Sequence, residues 1–191
     1  MTQAEVLTLC EQSGAYLRGH FRLTSGLHSP EYVQCALVLA HPPIAARLGE
    51  ALAAVCPGRP VDFVAAPALG GLIIGHEVAR ALGCRFLFTE RDREGRMALR
   101  RGFTVRPGEK GVVIEDVITT GGSTRETIEV MEEAGAIIAG VGSIIDRSGG
   151  AVDLGRPRVA LATLQVVSYP PEACPLCAAG QPLVKPGSRQ V

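Results

Sequence analysis

Apolar positions along this chain change their period, and the changes mark out the elements. Spaced apolar residues at Val6, Leu7, Leu9, Cys10 and Leu17 predict a helix over 3–17 that ends near Gly14 or Gly19. Residues 20–40, HFRLTSGLHSPEYVQCALVLA, predict two short extended runs around turn residues Ser25-Gly26 and Ser29-Pro30. A helix over 42–55 opens on proline. From 61 onward short apolar runs alternate with amphipathic ones. Strands are predicted at 61–66, 85–89, 112–117, 137–145 and 159–164, with a further short one at 103–105. Helices are predicted at 72–82 and at 124–134, the second stopped by Gly135. Residues 90–101, ERDREGRMALRR, form a charged insertion, and the tail 169–191, rich in Pro and Gly, is expected to lie across the surface. Strand–helix–strand alternation over 61–165 predicts an α/β domain with a mostly parallel sheet flanked by helices.

Composition narrows the class. The chain has 191 residues, 47% of them hydrophobic but only 4% aromatic and none Trp, so the core must be aliphatic. A formal net charge of zero argues against a general nucleic-acid binder, which would carry a basic excess. No apolar run approaches the ~20 residues that span a bilayer. The opening MTQAEVLTLCEQSG lacks the basic start and apolar stretch of a signal peptide, and a cytoplasmic location is expected. The six cysteines are then expected as thiols rather than as a disulfide framework. Only Lys110 and Lys185 are lysines and asparagine is absent, a bias that fits GC-rich coding or a hot habitat.

The chemistry concentrates in Val112-Val113-Ile114-Glu115-Asp116-Val117-Ile118-Thr119-Thr120-Gly121-Gly122-Ser123-Thr124. A buried strand delivers two adjacent carboxylates at its carboxyl end, the edge of an open α/β sheet where ligands bind. A turn of hydroxyls and glycines follows, and then a helix begins. Free N–H groups at a helix start cradle phosphate. Carboxylates beside such a cradle would repel an anion unless a group with hydroxyls lies between them, and a ribose 5-phosphate meets both demands. No G-x-x-x-x-G-K-[ST] occurs and no G-x-G-x-x-G follows a strand, so nucleoside triphosphatases and dinucleotide oxidoreductases are poorly supported.

VVIEDVITTGGST resembles the 5-phosphoribosyl-1-diphosphate (PRPP) signature of type I phosphoribosyltransferases. Its EDVITTGGS form is most similar to the members that use orotate. FRLTSGLHSPEY, APALGG at 66–71 and IDRSGG at 145–150 agree, so the likeness covers about residues 16–150 in order. It implies a PRPP-binding core over about 42–165 and a small hood made of about 1–40 and the C-terminal segment. It implies that Glu115 and Asp116 hold the ribose hydroxyls, that Thr119, Thr120, Gly121, Gly122 and Ser123 form the 5-phosphate loop, that Val117 and Ile118 also belong to the PRPP site, and that Leu69 and Gly70 belong to a pyrophosphate loop. Orotate contacts fall on Thr119, Arg147, Tyr32 and Thr24, with Arg147 on the orotate carboxylate. The insertion 90–101 matches a mobile catalytic loop, which makes Arg91, Arg93 and Arg96 catalytic candidates beside Asp116. A charged solvated face is the plain alternative for that insertion.

The same likeness implies transfer of phosphoribosyl from PRPP to orotate. Mg²⁺ would be held mainly by PRPP and water rather than by protein ligands, and a homodimer would send the 90–101 loop to the neighbouring site. A purine or xanthine phosphoribosyltransferase and a non-catalytic PRPP-sensing regulator are the alternatives. Departures are visible. The insertion lacks the lysines and histidine common in orotate enzymes, Thr24 stands where many carry lysine, and aromatic base contacts reduce to Tyr32. Cys174-Pro175-Leu176-Cys177 supplies half of a tetrahedral zinc set. A second cysteine pair is missing and the histidines (20, 28, 41, 76) are distant in sequence, so packed thiols are the expectation.

Overall fold

The computed structural model describes residues 1–23 and 25–186. A six-stranded sheet forms the centre: β3 (Phe63–Pro67), β4 (Arg85–Arg91), β5 (Met97–Leu99), β6 (Lys110–Ile118), β7 (Ile137–Asp146) and β8 (Arg158–Thr163), in the order β5-β4-β3-β6-β7-β8. All neighbours run parallel except β5, which pairs antiparallel with β4. Successive residues of the central strands serve opposite faces, as the strand period requires. Val64, Val112 and Ile114 enter a core with α3 (Pro42–Val55) and α4 (Gly71–Leu82), while Phe63, Ala65 and Val113 enter one with α5 (Gly122–Glu133). Two-sided burial is why these strands read as unbroken apolar runs.

Strand order places the ligand crevice. From β3 the chain moves through α4 to β4 on one side; from β6 it moves through α5 to β7 on the other. The carboxyl ends of β3 and β6 therefore flank a topological switch point, where loops diverge and leave a cleft.

A second, two-stranded sheet pairs β1 (Tyr16–Arg22) with β2 (His28–Val33), antiparallel. The first helix, α1 (Gln3–Gln12), starts on a capping box in which the Glu5 amide donates to Thr2 Oγ1 and the Thr2 amide donates to Glu5 Oε2. It ends at Gly14, and the rest of the predicted 3–17 helix is strand. Ser29-Pro30 is not a turn. Pro30 lies inside β2 where the register with β1 slips, a position that tolerates a missing N–H. A short α2 (Cys35–Leu39) follows. The tail runs beside this small sheet: His28 and Tyr169 exchange backbone hydrogen bonds of 2.8 Å, Arg22 N–H donates to the Val184 carbonyl, and Val184 N–H donates to His20. The described part of the tail holds the short α6 (Pro175–Ala178) followed by an irregular segment up to residue 186.

Two further expectations are corrected. No strand forms at 103–105; the partner of β4 is Met97–Leu99, inside the charged insertion. The Asp92 carboxylate accepts from the amides of Glu94 and Arg96 and closes the turn, and Met97 is buried, so the insertion is a hairpin rather than an open loop. Among the described residues no helix is long and apolar enough to cross a membrane.

Candidate active site

The end of β6 and the start of α5 build the floor of a cavity of about 520 Å³. Glu115 is buried and its carboxylate accepts from the Asp116 amide at 3.2 Å. Burial, and then the charge of Asp116, push the Glu115 carboxyl well above the usual carboxylate range. Asp116 is half-buried, accepts from the Val117 amide at 2.8 Å, and faces both this cavity and a neighbouring one of about 340 Å³. That second cavity is walled by Pro67, Ala68, Leu69 and Gly70, the turn between β3 and α4. The switch point thus sets the two loops on either side of one carboxylate.

Beyond the acids the chain turns through exposed Thr119 and Thr120 and enters α5 at Gly121. Gly121 adopts φ 74°, and a Cβ there would lie 2.8 Å from Leu154 and Val152, so glycine is required twice over. No side chain caps α5, and the amides of its first turn have no intrahelical acceptor. Arg125 steadies the turn from behind, donating to the carbonyls of Thr120 and Asp153 at 2.9 Å each. A rigid ring of amides and hydroxyls at a helix N-terminus, open to a cavity, is suited to a phosphate dianion.

The opposite wall comes from the small sheet and from the end of β7. Leu23, Ser25, Tyr32, Val33 and Gln34 line it, together with Arg147. Asp146 anchors that end. Although burial works against its charge, the Ser148 hydroxyl and amide and the Arg158 guanidinium hold its carboxyl below the usual range. The Arg147 amide donates to the Ile118 carbonyl, and the Arg147 side chain lines the cavity. Its guanidinium lies 5.8 Å from the centre of the Tyr32 ring and makes one long hydrogen bond, 3.5 Å, to the Glu31 carbonyl. Burial lowers its pKa. Among the described residues its Nε is one of two buried side-chain polar atoms without a partner, the other being Ser143 Oγ. A buried guanidinium with unused donors is matched by an incoming planar anion.

The structure therefore gathers Glu115, Asp116, Val117, Ile118, Thr119, Thr120, Gly121, Gly122, Ser123, Tyr32, Arg91 and Arg147 around one cavity, with Leu69 and Gly70 beside Asp116 in the next. Thr24 lies outside the described residues. Arg93 and Arg96 do not line either cavity; Arg96 pairs with Asp92 and Glu94 within the hairpin turn. Sequence reasoning missed Glu126, which pairs with Arg91 at 2.6 Å and lines the cavity from α5. It also missed Gln34, Ser25 and Leu23, which carry no spacing signal.

Comparison with known proteins decides the family. The phosphoribosyl transferase domain model matches residues 36–165. The chain is 54% identical over 191 residues to the orotate phosphoribosyltransferase of Pelotomaculum thermopropionicum, covering all of both chains. It is 55% identical over 192 residues to that of Heliobacterium modesticaldum, covering 99% of this chain and 100% of the relative. The chain belongs to the orotate phosphoribosyltransferase family. Among solved structures, the orotate phosphoribosyltransferase of Aeropyrum pernix superposes with a TM-score of 0.69 at 26% identity, over 84% of this chain and 94% of that one. In this family member the shared fold is the mostly parallel six-stranded sheet with helices on both faces.

Proposed function

We propose that the chain transfers the 5-phosphoribosyl group of PRPP to orotate, releasing pyrophosphate and forming orotidine 5′-phosphate for UMP synthesis. The observation that carries this reading is the opposition, across one cavity, of an amide-lined turn behind two carboxylates and the under-bonded guanidinium of Arg147. Relatives more than half identical over their full length bear the same activity in their names.

In this reading the 5-phosphate sits on the amides and hydroxyls of 119–123, and the ribose hydroxyls donate to Glu115 and Asp116. Arg147 grips the orotate carboxylate, with Tyr32 and Thr119 beside the ring and Thr24 nearby in the chain. An orotate nitrogen adds to C1 while the C1–O bond to pyrophosphate breaks; the bonding pair leaves with pyrophosphate, and the proton of that nitrogen is released to solvent. The transition state is an oxocarbenium-like sugar whose positive charge Asp116 is placed to favour. The loop at Leu69-Gly70 offers amides to the diphosphate. Arg91 reaches the cavity directly, and Arg93 and Arg96 at the hairpin tip would join when the hairpin closes, on this chain or across a homodimer. Closure excludes water from a cationic sugar.

Oxygen-rich surroundings at Glu115 and Asp116 fit Mg²⁺, a hard cation bound through few protein ligands. It would be held mainly by PRPP and water beside these carboxylates, where it supplies neutralisation of the leaving diphosphate. A cytoplasmic homodimer completes the proposal. The test is pyrophosphate release from PRPP and Mg²⁺ with a panel of bases. Release with orotate but not with adenine, hypoxanthine or xanthine is expected. Release with a purine alone, or PRPP binding without release, would replace the proposal with one of its alternatives.

A further inference from the structure

Away from the active-site cavity, four soft donors converge. His20 on β1, His28 at the start of β2, and Cys174 and Cys177 in the tail place one ligand atom each within 4.8 Å of all the others. Linear distance had set the two histidines apart from the C-x-x-C; the hairpin and the tail strap bring them together. We propose that these residues form a structural zinc site that fastens the C-terminal tail to the small β1–β2 sheet.

The spacing suits four ligand atoms around one ion. With Zn–S of about 2.3 Å and Zn–N of about 2.0–2.1 Å, ligand atoms should lie about 3.3–3.8 Å apart. Cys174 Sγ lies 3.5 Å from His20 Nε2, Cys177 Sγ lies 3.7 Å from it, and Cys177 Sγ lies 3.3 Å from His28 Nδ1. The two imidazole nitrogens are 3.0 Å apart, slightly closer than a bound ion would hold them. A hydrogen bond between the rings accounts for one of these four contacts, and both sulfurs still lie 3.3–3.7 Å from the imidazole nitrogens.

Surrounding contacts orient the ligands. His20 Nδ1–H donates to the Gln181 carbonyl at 2.9 Å, which leaves Nε2 with its lone pair toward the sulfurs. Cys174 caps α6, so one short turn presents both thiols on the same side. His20, His28 and Cys174 are buried and only Cys177 reaches the surface, so all four positions are filled by protein and none is left open for a substrate. Such a closed Cys₂His₂ set is structural. Its consequence runs to the substrate cavity through β2, whose Tyr32 lines that cavity and whose Ser29 hydroxyl donates to the tail carbonyl of Val167 at 3.1 Å.

The test is metal analysis of tag-free, reduced full-length chain, reconstituted with zinc and passed through a desalting column. About one zinc per chain is expected, falling below ~0.1 in Cys177→Ser, an exposed position whose change spares the core. Cobalt substitution should give the visible bands of a tetrahedral thiolate–imidazole site, absent from the variant. Chelation should lower the unfolding temperature of the wild type and leave that of Cys177→Ser unchanged. No zinc retained, zinc retained equally by the variant, or a Cys174–Cys177 disulfide in freshly purified protein would each overturn the proposal.

Discussion

Gly70 and Asp116 touch across the switch point: a Cβ on residue 70 would lie 2.6 Å from Asp116 Oδ1 and 2.9 Å from its Cγ. The loop after β3 and the acidic end of β6 close on each other with no room for a side chain. Gly70 has φ −57°, which any residue adopts, so its constraint is steric and not conformational. Gly70→Ala is expected to displace the carboxylate and lower kcat/KM for PRPP roughly 10–100-fold, because small misplacements of catalytic groups carry such penalties. The unfolding temperature should stay unchanged at this exposed position. Steady-state kinetics beside a thermal melt checks both halves.

Asp116→Asn keeps the shape and removes the charge. Turnover is expected to fall on the order of 10²-fold, the scale of a lost electrostatic contact in the transition state, with the circular dichroism spectrum intact. A folded variant with full activity would remove Asp116 from the chemistry.

Arg147→Ala should raise the KM for orotate about 10-fold or more, as expected for loss of a charged hydrogen-bonded contact, and leave the KM for PRPP within about 2-fold. Arg147→Lys should not restore it, since an ammonium lacks the planar fork. Equal effects on both substrates would take Arg147 out of the base pocket.

Glu115 predicts a pH signature in stability. Its carboxyl titrates near 4.5 when unfolded and well above that in the native chain. Between the two values the native state keeps a proton that the unfolded state has released, so stability falls as pH rises through the window, by up to about 1.4 kcal/mol per pH unit. Glu115→Gln should match the wild type at acid pH, exceed it near neutrality, and bind PRPP more weakly. Denaturant midpoints measured across pH would show the two curves diverging; parallel curves would refute the assignment.

Local chemistry made much of this legible. The central strands were readable because two-sided burial leaves an unbroken apolar run, and the acid pair and glycine turn because both lie within 13 residues. Where partners are far apart, local pattern fell short. The 90–101 hairpin was hidden because its pairing rests on Asp92 closing a turn and on one buried Met97 among charges. Glu126 gave no signal, since its role comes from facing Arg91 across 35 residues. The zinc set was half visible: the cysteine spacing is local, but His20 lies 154 residues from Cys174 and meets it only through the tail.

The central claim is that a ribose phosphate rests where β6 gives way to α5. Crystals soaked with PRPP and Mg²⁺ test it most directly. Density is expected with the 5-phosphate against the amides of 119–123 and the ribose hydroxyls within hydrogen-bond reach of Glu115 and Asp116. A phosphate bound elsewhere while that turn stays bare, or a sugar whose hydroxyls point away from both acids, would contradict the account.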